Sequence, residues 1–181
     1  MRDQRHRNLA RRGYLRAGTL TALAPHMPIS PYLQKLKDAL GDELVIVPGV
    51  AAVIRDDTGR VLLERRSDNG CWDIPAGATD PGETPREAIV REVHEETGLR
   101  VEVRGVAGVF GGASFRQRYP DGQHIEGFVA VFDCAVVGGT LRSTDGESAG
   151  FRFVPHDDLP PLMNPYPREL FSPDRRMAVF Q

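Results

Sequence analysis

Residues 77–99 read GATDPGETPREAIVREVHEETGL, and this stretch predicts a helix together with the loop that leads into it. Thr84 is followed by a proline and, three residues on, by Glu87, which is the pattern of a capping box at a helix start. Gly98 is the residue type that most often ends a helix, because it adopts the left-handed conformation without strain. The sequence therefore predicts a helix over residues 84–97.

Two different faces of this helix have different chemistry. One face is apolar and can pack against a sheet; it carries Ile89, Val90 and Val93. The other face is acidic, with carboxylates at positions i, i+3 and i+4 that lie within one turn; it carries Glu92, Glu95 and Glu96.

The acidic face is unfavourable for helix stability. Like charges at these spacings repel by a few tenths of a kcal/mol per pair, and the helix dipole disfavours carboxylates in the last turns. One interpretation is an acidic, solvent-exposed helix end. The other is a site for a hard divalent cation, which needs several oxygen ligands in one place. Magnesium fits best if substrate phosphates and waters complete its coordination.

Charge is divided unevenly along the chain. Residues 1–26 hold six arginines and one aspartate, a net charge of +5, so residues 27–181 carry −7 of the total of −2. An acidic body argues against a nucleic-acid polymer as partner. We expect residues 1–26 to be a basic, flexible and dispensable arm, or sequence upstream of a start at Met27. A transit peptide is disfavoured because this segment lacks serine.

Length and composition predict one globular domain over residues 27–181. The chain has 181 residues, of which 40% are hydrophobic and 27% charged. Its apolar stretches are shorter than the roughly 20 residues that cross a membrane, so no membrane partner is expected. Cys71 and Cys134 are too few for a disulfide scaffold, and their apolar surroundings predict buried thiols in a reducing cytoplasm.

The remaining elements alternate between strands and helices. Ser30 and Pro31 predict the start of a first helix that ends at Gly41. A turn is expected at 119–122, and the proline-rich segment after Pro155 predicts one short helix and irregular structure. Strands are expected at 45–54, 60–66, around 72–74, at 101–117, 124–137 and 151–154, with a loop at 75–83. This order predicts an α/β or α+β domain with a mixed sheet.

Residues 77–99 resemble the Nudix box, G-x5-E-x7-R-E-U-x-E-E-x-G-U with U aliphatic, at every fixed position. The matching residues are Gly77, Glu83, Arg91, Glu92, Val93, Glu95, Glu96, Gly98 and Leu99. The flanking strand pattern extends the resemblance over about 45–154. It implies an α/β/α sandwich around a mixed β-sheet. It also implies an enzyme that uses magnesium, or manganese, to hydrolyse a nucleoside diphosphate linked to another moiety.

The resemblance also implies roles for residues within the box. The metal ligands would be Glu92, Glu95 and Glu96, together with the carbonyl of Gly77. Glu83 and Arg91 would form a pair that orients the acidic helix face, as groups around metal ligands do.

Candidates outside the box are assigned less directly. Glu147 is a candidate for the general base or an extra ligand, and an exposed turn residue is an equal alternative; Asp133 is a second acidic candidate. Arg65 and Arg66 could reach a substrate phosphate or could be an ordinary solvent-facing strand end. Tyr119 could stack on a base or could be a turn aromatic without a ligand.

Two other functions on the same fold were weighed against hydrolysis. A non-catalytic nucleotide sensor would more often have a degraded box and a partner domain. Isoprenoid diphosphate isomerisation would need Cys71 in the cleft. We therefore expect a pyrophosphohydrolase, monomeric or homodimeric, whose partner is a small nucleotide substrate: a nucleotide, a dinucleotide polyphosphate or a nucleotide sugar.

Overall fold

The computed structural model describes residues 30–41, 43–118 and 124–180. The expected arm at 1–26 and the expected turn at 119–122 lie outside the described residues. The helices are α1 (Pro31–Leu40) and α2 (Pro85–Thr97). The strands are β1 (Val45–Ile54), β2 (Val61–Arg66), β3 (Trp72–Asp73), β4 (Ala76–Ala78), β5 (Leu99–Phe110), β6 (Arg116–Arg118), β7 (His124–Gly139), β8 (Ser148–Val154) and β9 (Val179–Phe180).

The strands form two sheets. The larger sheet has the order β4-β1-β7-β5-β9, with β6 also paired to β7. It is mixed, because β1 runs parallel to β7 and β9 parallel to β5, whereas the other pairs are antiparallel. The smaller sheet is antiparallel and has the order β3-β2-β8. The predicted mixed α/β class is confirmed.

Hydrophobic cores lie on two sides of the large sheet. On one side the apolar face of α2, with Ile89 and Val93 fully buried, packs against Val50, Ala52 and Ile54 of β1. On the other side, the segment after β8 contributes Tyr166 and Phe171, which pack with Phe110 of β5 and with Phe115. The rings of this aromatic cluster lie 5.3–6.4 Å apart. The first core fixes α2 on the sheet and therefore fixes its acidic face.

Several details differ from the sequence-based expectation. The long strand expected at 101–117 ends at Phe110, because Gly112 adopts φ +78° and a 3-10 turn at Ala113–Phe115 precedes β6. The loop expected at 75–83 contains β4, which hydrogen-bonds to β1. Cys71 is exposed, not buried as expected, whereas Cys134 is buried.

The segment after Pro155, expected to form one short helix and irregular structure, also makes contacts with distant parts of the chain. It contains a 3-10 helix at Arg168–Phe171 and the short strand β9. Arg175 donates to Asp133 of β7, and Arg55, the residue after β1, donates to the other carboxylate oxygen at 3.0 Å. Asp133 therefore anchors this segment to the large sheet and is committed to two arginines.

The helices in the described part of the chain are too short or too polar to cross a membrane.

Candidate active site

Helix α2 begins and ends where its sequence predicts. The Thr84 hydroxyl accepts from the Glu87 N–H, and the Glu87 carboxylate accepts from the Thr84 N–H at 2.8 Å, which completes the capping box. Gly98 ends the helix with φ +69° and donates its N–H to the carbonyl of His94. Because both ends are fixed, the acidic residues between them have defined positions over the edge of the sheet.

Strand β4 brings the loop of the motif against the helix. Gly77 in β4 pairs with Val50 of β1, and a Cβ atom at position 77 would overlap the Glu92 carboxylate. Only glycine therefore leaves room for Glu92 beside this strand without moving its side chain. The absence of a side chain at position 77, called the Gly77 cradle, lets the Glu92 carboxylate lie directly against the β4 backbone.

Arg91 links the loop to the helix. Its Nε and Nη2 donate to the two oxygens of Glu83 at 2.7 and 2.8 Å, and its Nη2 also donates to the carbonyl of Ala78 at 3.1 Å. These bonds lower the pKa of Glu83 to about 2, so this carboxylate is ionised at neutral pH. The paired arrangement expected for Glu83 and Arg91 is present.

The three glutamates of the acidic face differ sharply in exposure. The Glu95 side chain is 51% exposed, that of Glu92 is 15% exposed, and Glu96 is only 3% exposed. Arg91 Nη1 donates to Glu92 at 2.8 Å and to Glu95 at 3.1 Å. Glu96 accepts instead from the N–H of Ala76 in β4 at 3.0 Å. The face therefore runs from solvent at Glu95 into the protein at Glu96.

Burial makes the inner carboxylates costly to ionise. It raises the pKa of Glu92 to about 7, with the nearby charges of Glu95 and Glu147 acting in the same direction. Burial also raises the pKa of Glu96 well above its ordinary value, and the charges of Glu64 and Glu92 add to that effect. Ionising Glu92 or Glu96 therefore costs free energy in the metal-free protein, even though Arg91 bonds to Glu92.

Glu64 is a member of this cluster that sequence reasoning missed. It lies in β2, is 3% exposed and accepts from the Ser148 hydroxyl of β8 at 2.7 Å. Burial raises its pKa, and its charge acts on Glu96. The signal was a single acidic residue directly after the apolar run Val61–Leu63, but the two arginines that follow it suggested a solvated strand end.

Glu147 lies near the same cluster. Its backbone N–H bonds to Asp145 and its carbonyl accepts from the Ser67 N–H, each at 2.8 Å, which fixes the turn before β8. The side chain is half-buried, and burial together with the charge of Asp145 raises its pKa. Glu147 is therefore close enough to the helix glutamates to interact with them electrostatically.

The two arginines at the end of β2 have different environments. Arg66 is largely buried, pairs with Asp68 at 3.1 Å and lies near the charges of Glu64 and Glu96. Arg65 is exposed, and its Nε donates to the Gly70 carbonyl at 3.2 Å. The structure therefore places Arg66, and not Arg65, beside the acidic cluster. Tyr119 lies outside the described residues.

The donor chemistry of the cluster fits a hard divalent cation. It consists of carboxylate oxygens on α2, β2 and the turn before β8, with the Gly77 cradle holding one of them against backbone. Across residues 30–41, 43–118 and 124–180, no three acidic, histidine or cysteine side chains are gathered tightly enough to hold an ion as they stand. The reason for two of them is visible: Glu92 and Glu95 are turned toward Arg91. Rotation of these side chains would be required.

The sequence profile of the NUDIX domain family matches residues 45–173, which include β1 to β8 and all described members of the acidic cluster. The chain is a NUDIX family member. The family expected from residues 77–99 is thus confirmed over most of the described fold.

Known NUDIX relatives are similar over most of the chain. A MutT-like protein of Streptomyces ambofaciens is 36% identical over 129 residues, which are 71% of this chain and 75% of the relative. An ADP-ribose pyrophosphatase of Methanocaldococcus jannaschii is 35% identical over 132 residues, 71% of this chain and 74% of the relative. Among solved structures, a UDP-X diphosphatase superposes with a TM-score of 0.56 at 26% identity, over 76% of this chain and 64% of that chain.

The NUDIX assignment determines the reaction class. Pyrophosphatases and diphosphatases hydrolyse phosphoric anhydrides, and this chain is a hydrolase of that class. NUDIX hydrolases generally use divalent metal ions and act on small nucleotide substrates, which agrees with the oxygen-rich cluster described above.

Proposed function

We propose that this NUDIX protein is a magnesium-dependent pyrophosphohydrolase that cleaves a nucleoside diphosphate linked to another group. The single observation that carries the proposal is the convergence of carboxylates with raised pKa values around Glu96. Ionising buried carboxylates costs stability, and a divalent cation bound among them would lower that cost. The names of the ADP-ribose and UDP-X relatives favour a nucleoside diphosphate joined to a second moiety.

The proposed metal ligands are Glu92, Glu95 and Glu96 with the carbonyl of Gly77. Glu64 is as buried as Glu96, and its carboxylate is bonded to Ser148, so we assign it to the electrostatic surroundings of Glu96 and not to the ligand set. A magnesium ion held there would supply positive charge for the pyrophosphate and a water of lowered pKa, and manganese is a chemically similar alternative.

The protein's own residues have separate tasks in this proposal. Arg91 clamps Glu83 and the Ala78 carbonyl, and so holds the loop in register with the helix. Arg66 presents a guanidinium to the side of the cluster where a substrate phosphate would need one. Glu147, whose half-buried carboxylate lies near the helix glutamates, is the proposed acceptor of a proton from the attacking water.

A substrate panel with matched variants tests the proposal. The full chain is incubated with nucleoside triphosphates, ADP-ribose, dinucleotide polyphosphates and nucleotide sugars, in magnesium, manganese or EDTA, and the products are separated by chromatography. We expect cleavage between two phosphates that requires a divalent ion. Glu92→Gln should abolish it, whereas Glu102→Gln, an exposed carboxylate on β5, should not. Absence of turnover on the whole panel, or equal turnover in EDTA, would contradict the proposal.

A further inference from the structure

A second polar site lies at the C-terminal end of α2. It is a pocket of about 440 Å³ lined by His94, Gly98, Arg100, Gly139, Thr140 and Arg142, and it is called the basic pocket below. None of these six residues is acidic. Two arginines, a histidine and a threonine are therefore among the residues of this concave surface.

The basic pocket is separate from the acidic cluster. His94 is two residues from Glu92 and two from Glu96, and at 3.6 residues per turn this places it about 160° around the helix from each of them. The remaining lining residues belong to the start of β5, the end of β7 and the segment that follows. The pocket is thus on the opposite side of α2 from Glu92 and Glu96, whereas Glu95, the residue after His94, lies about 100° around the helix from it.

Glycines determine where the two arginines lie. The Arg100 guanidinium rests across Gly138 on the neighbouring strand, where a Cβ would come within 2.5 Å of its Nη2. The aliphatic part of Arg142 packs on Gly98, whose Cβ would lie 3.2 Å from the arginine Cγ. Each side chain therefore lies beside a glycine, with its guanidinium in Arg100 and with its aliphatic part in Arg142, and both arginines are exposed and accessible to a ligand.

Neither arginine is neutralised by a neighbouring acid. In the ranges that the structure describes, no carboxylate lies within salt-bridge distance of Arg100 or Arg142. By contrast, Arg104 on the same strand pairs with Glu102 at 3.1 Å. The guanidinium groups of the pocket keep their hydrogen-bonding capacity for an added anion.

The carbonyl groups at the end of α2 do not oppose an anion here as strongly as a bare helix end would. The carbonyls of His94 and Thr97 accept from the N–H groups of Gly98 and Arg142, and that of Glu95 accepts from the Thr144 hydroxyl. Because these acceptors are already paired, the side chains determine the charge that a ligand meets.

We infer that the basic pocket binds a phosphate-bearing anion. Arginine forks match phosphate oxygens in geometry and charge, and the pocket is large enough for a phosphate group with part of a nucleotide attached. Free phosphate and the phosphate of a nucleotide offer the same recognition chemistry. This inference does not depend on the proposed hydrolysis, since none of the lining residues takes part in it.

Amide chemical shifts of the full chain in EDTA test the inference. Inorganic phosphate and AMP are titrated separately, and the amide signals of Gly98 and Gly139 are followed. We expect saturable shifts, and Arg100→Gln and Arg142→Gln should each weaken binding about tenfold, as for one charge-assisted hydrogen bond. Arg104→Gln is the matched control on the same strand and should leave affinity unchanged.

The two titrations distinguish the sources of the phosphate. Equal affinity for phosphate and AMP would assign the pocket to the phosphate group alone, whereas AMP binding at least about tenfold tighter would assign it to a nucleotide. Shifts that do not saturate with either ligand, or that survive both arginine substitutions, would overturn the inference. Hydrolysis rates of Arg100→Gln measured without added phosphate should equal those of the unsubstituted chain.

Discussion

Replacing Glu96 by glutamine tests two effects of this residue separately. One is the cost of its buried carboxyl group to the stability of the metal-free protein, and the other is its proposed role as a metal ligand. The substitution removes a buried negative charge but keeps an oxygen that can accept from the Ala76 N–H, now 3.0 Å from the carboxylate. The amide it introduces can donate to Glu64 or Glu92, whose charges act on Glu96 in the unsubstituted protein. The fold should therefore keep every contact except the repulsion.

The structure sets the direction and size of both effects. In the unsubstituted chain, folding at pH 8 must either bury the Glu96 charge or take up a proton. A glutamine does neither and can bond to a neighbouring carboxylate, so it should stabilise the metal-free protein by at least about 1 kcal/mol. In a chain of this length that raises the melting temperature by roughly 2–4 °C. Loss of a proposed metal ligand should reduce hydrolysis at least about 100-fold, the upper end of what losing a mere supporting group costs.

Two measurements on the same preparations check this prediction. Thermal unfolding in EDTA at pH 8 gives the stability, and initial rates with millimolar magnesium give the activity. Magnesium should raise the melting temperature of the unsubstituted chain, because a ligand that binds only the folded state stabilises it, and should do so less for Glu96→Gln. Glu102→Gln serves as control and should change neither quantity. Wild-type rates in Glu96→Gln, or a lower metal-free melting temperature, would refute the reasoning.

Four further outcomes are expected. Gly77→Ala should displace the flexible Glu92 carboxylate and abolish activity with little loss of stability, whereas Gly105→Ala, which meets no atom within 4 Å, should keep activity in the same rate assay. Glu147→Gln should lower turnover and leave the metal-free melting temperature near that of the unsubstituted chain; unchanged turnover would remove it from the mechanism. A chain without residues 1–26 should stay folded and active, and aggregation or inactivity would show that the arm is needed. In EDTA, the free energy of unfolding should fall as pH rises from 5 to 8. The reason is that the folded state keeps a proton on Glu92, pKa about 7, that the unfolded chain releases near 4.5. A melting temperature that rises over this pH range would contradict the prediction.

Helix α2 could be predicted from sequence because its determinants are local. The Thr84 cap, the proline after it and Gly98 act within a few residues, and the observed helix Pro85–Thr97 agrees with the expected 84–97. The spacing of Glu92 and Glu96 likewise follows from helix geometry alone. The spacing could not predict the depth of each side chain. That Glu96 is buried and Glu95 exposed depends on β4, in which Gly77 pairs with Val50 of β1, 27 residues earlier in the chain.

Glu64 and β9 could not be predicted because their positions depend on distant partners. The sequence around Glu64 reads as a charged strand end, and only the pairing of β2 with both β3 and β8 covers it. Strand β9 has two residues and exists because it pairs with Gly108 and Val109 of β5. The prediction that Cys71 is buried was wrong. It rested on apolar neighbours such as Trp72, which does pack against the core, whereas the backbone N–H of Cys71 bonds to Asn69 at an exposed turn.

The distribution of partners among the carboxylates separates structural from reactive groups. Glu83 accepts two hydrogen bonds from the Arg91 guanidinium and one from a backbone N–H, so its pKa falls to about 2. Its negative charge therefore has a structural role. Glu96 receives one backbone N–H and faces like charges, so burial leaves its pKa high. The caps of α2 are satisfied, whereas this cluster gathers several buried carboxylates around Glu96 and so departs from local consistency. We propose that a cation bound there would stabilise the folded state, which is the physical reason for locating the chemistry at this cluster.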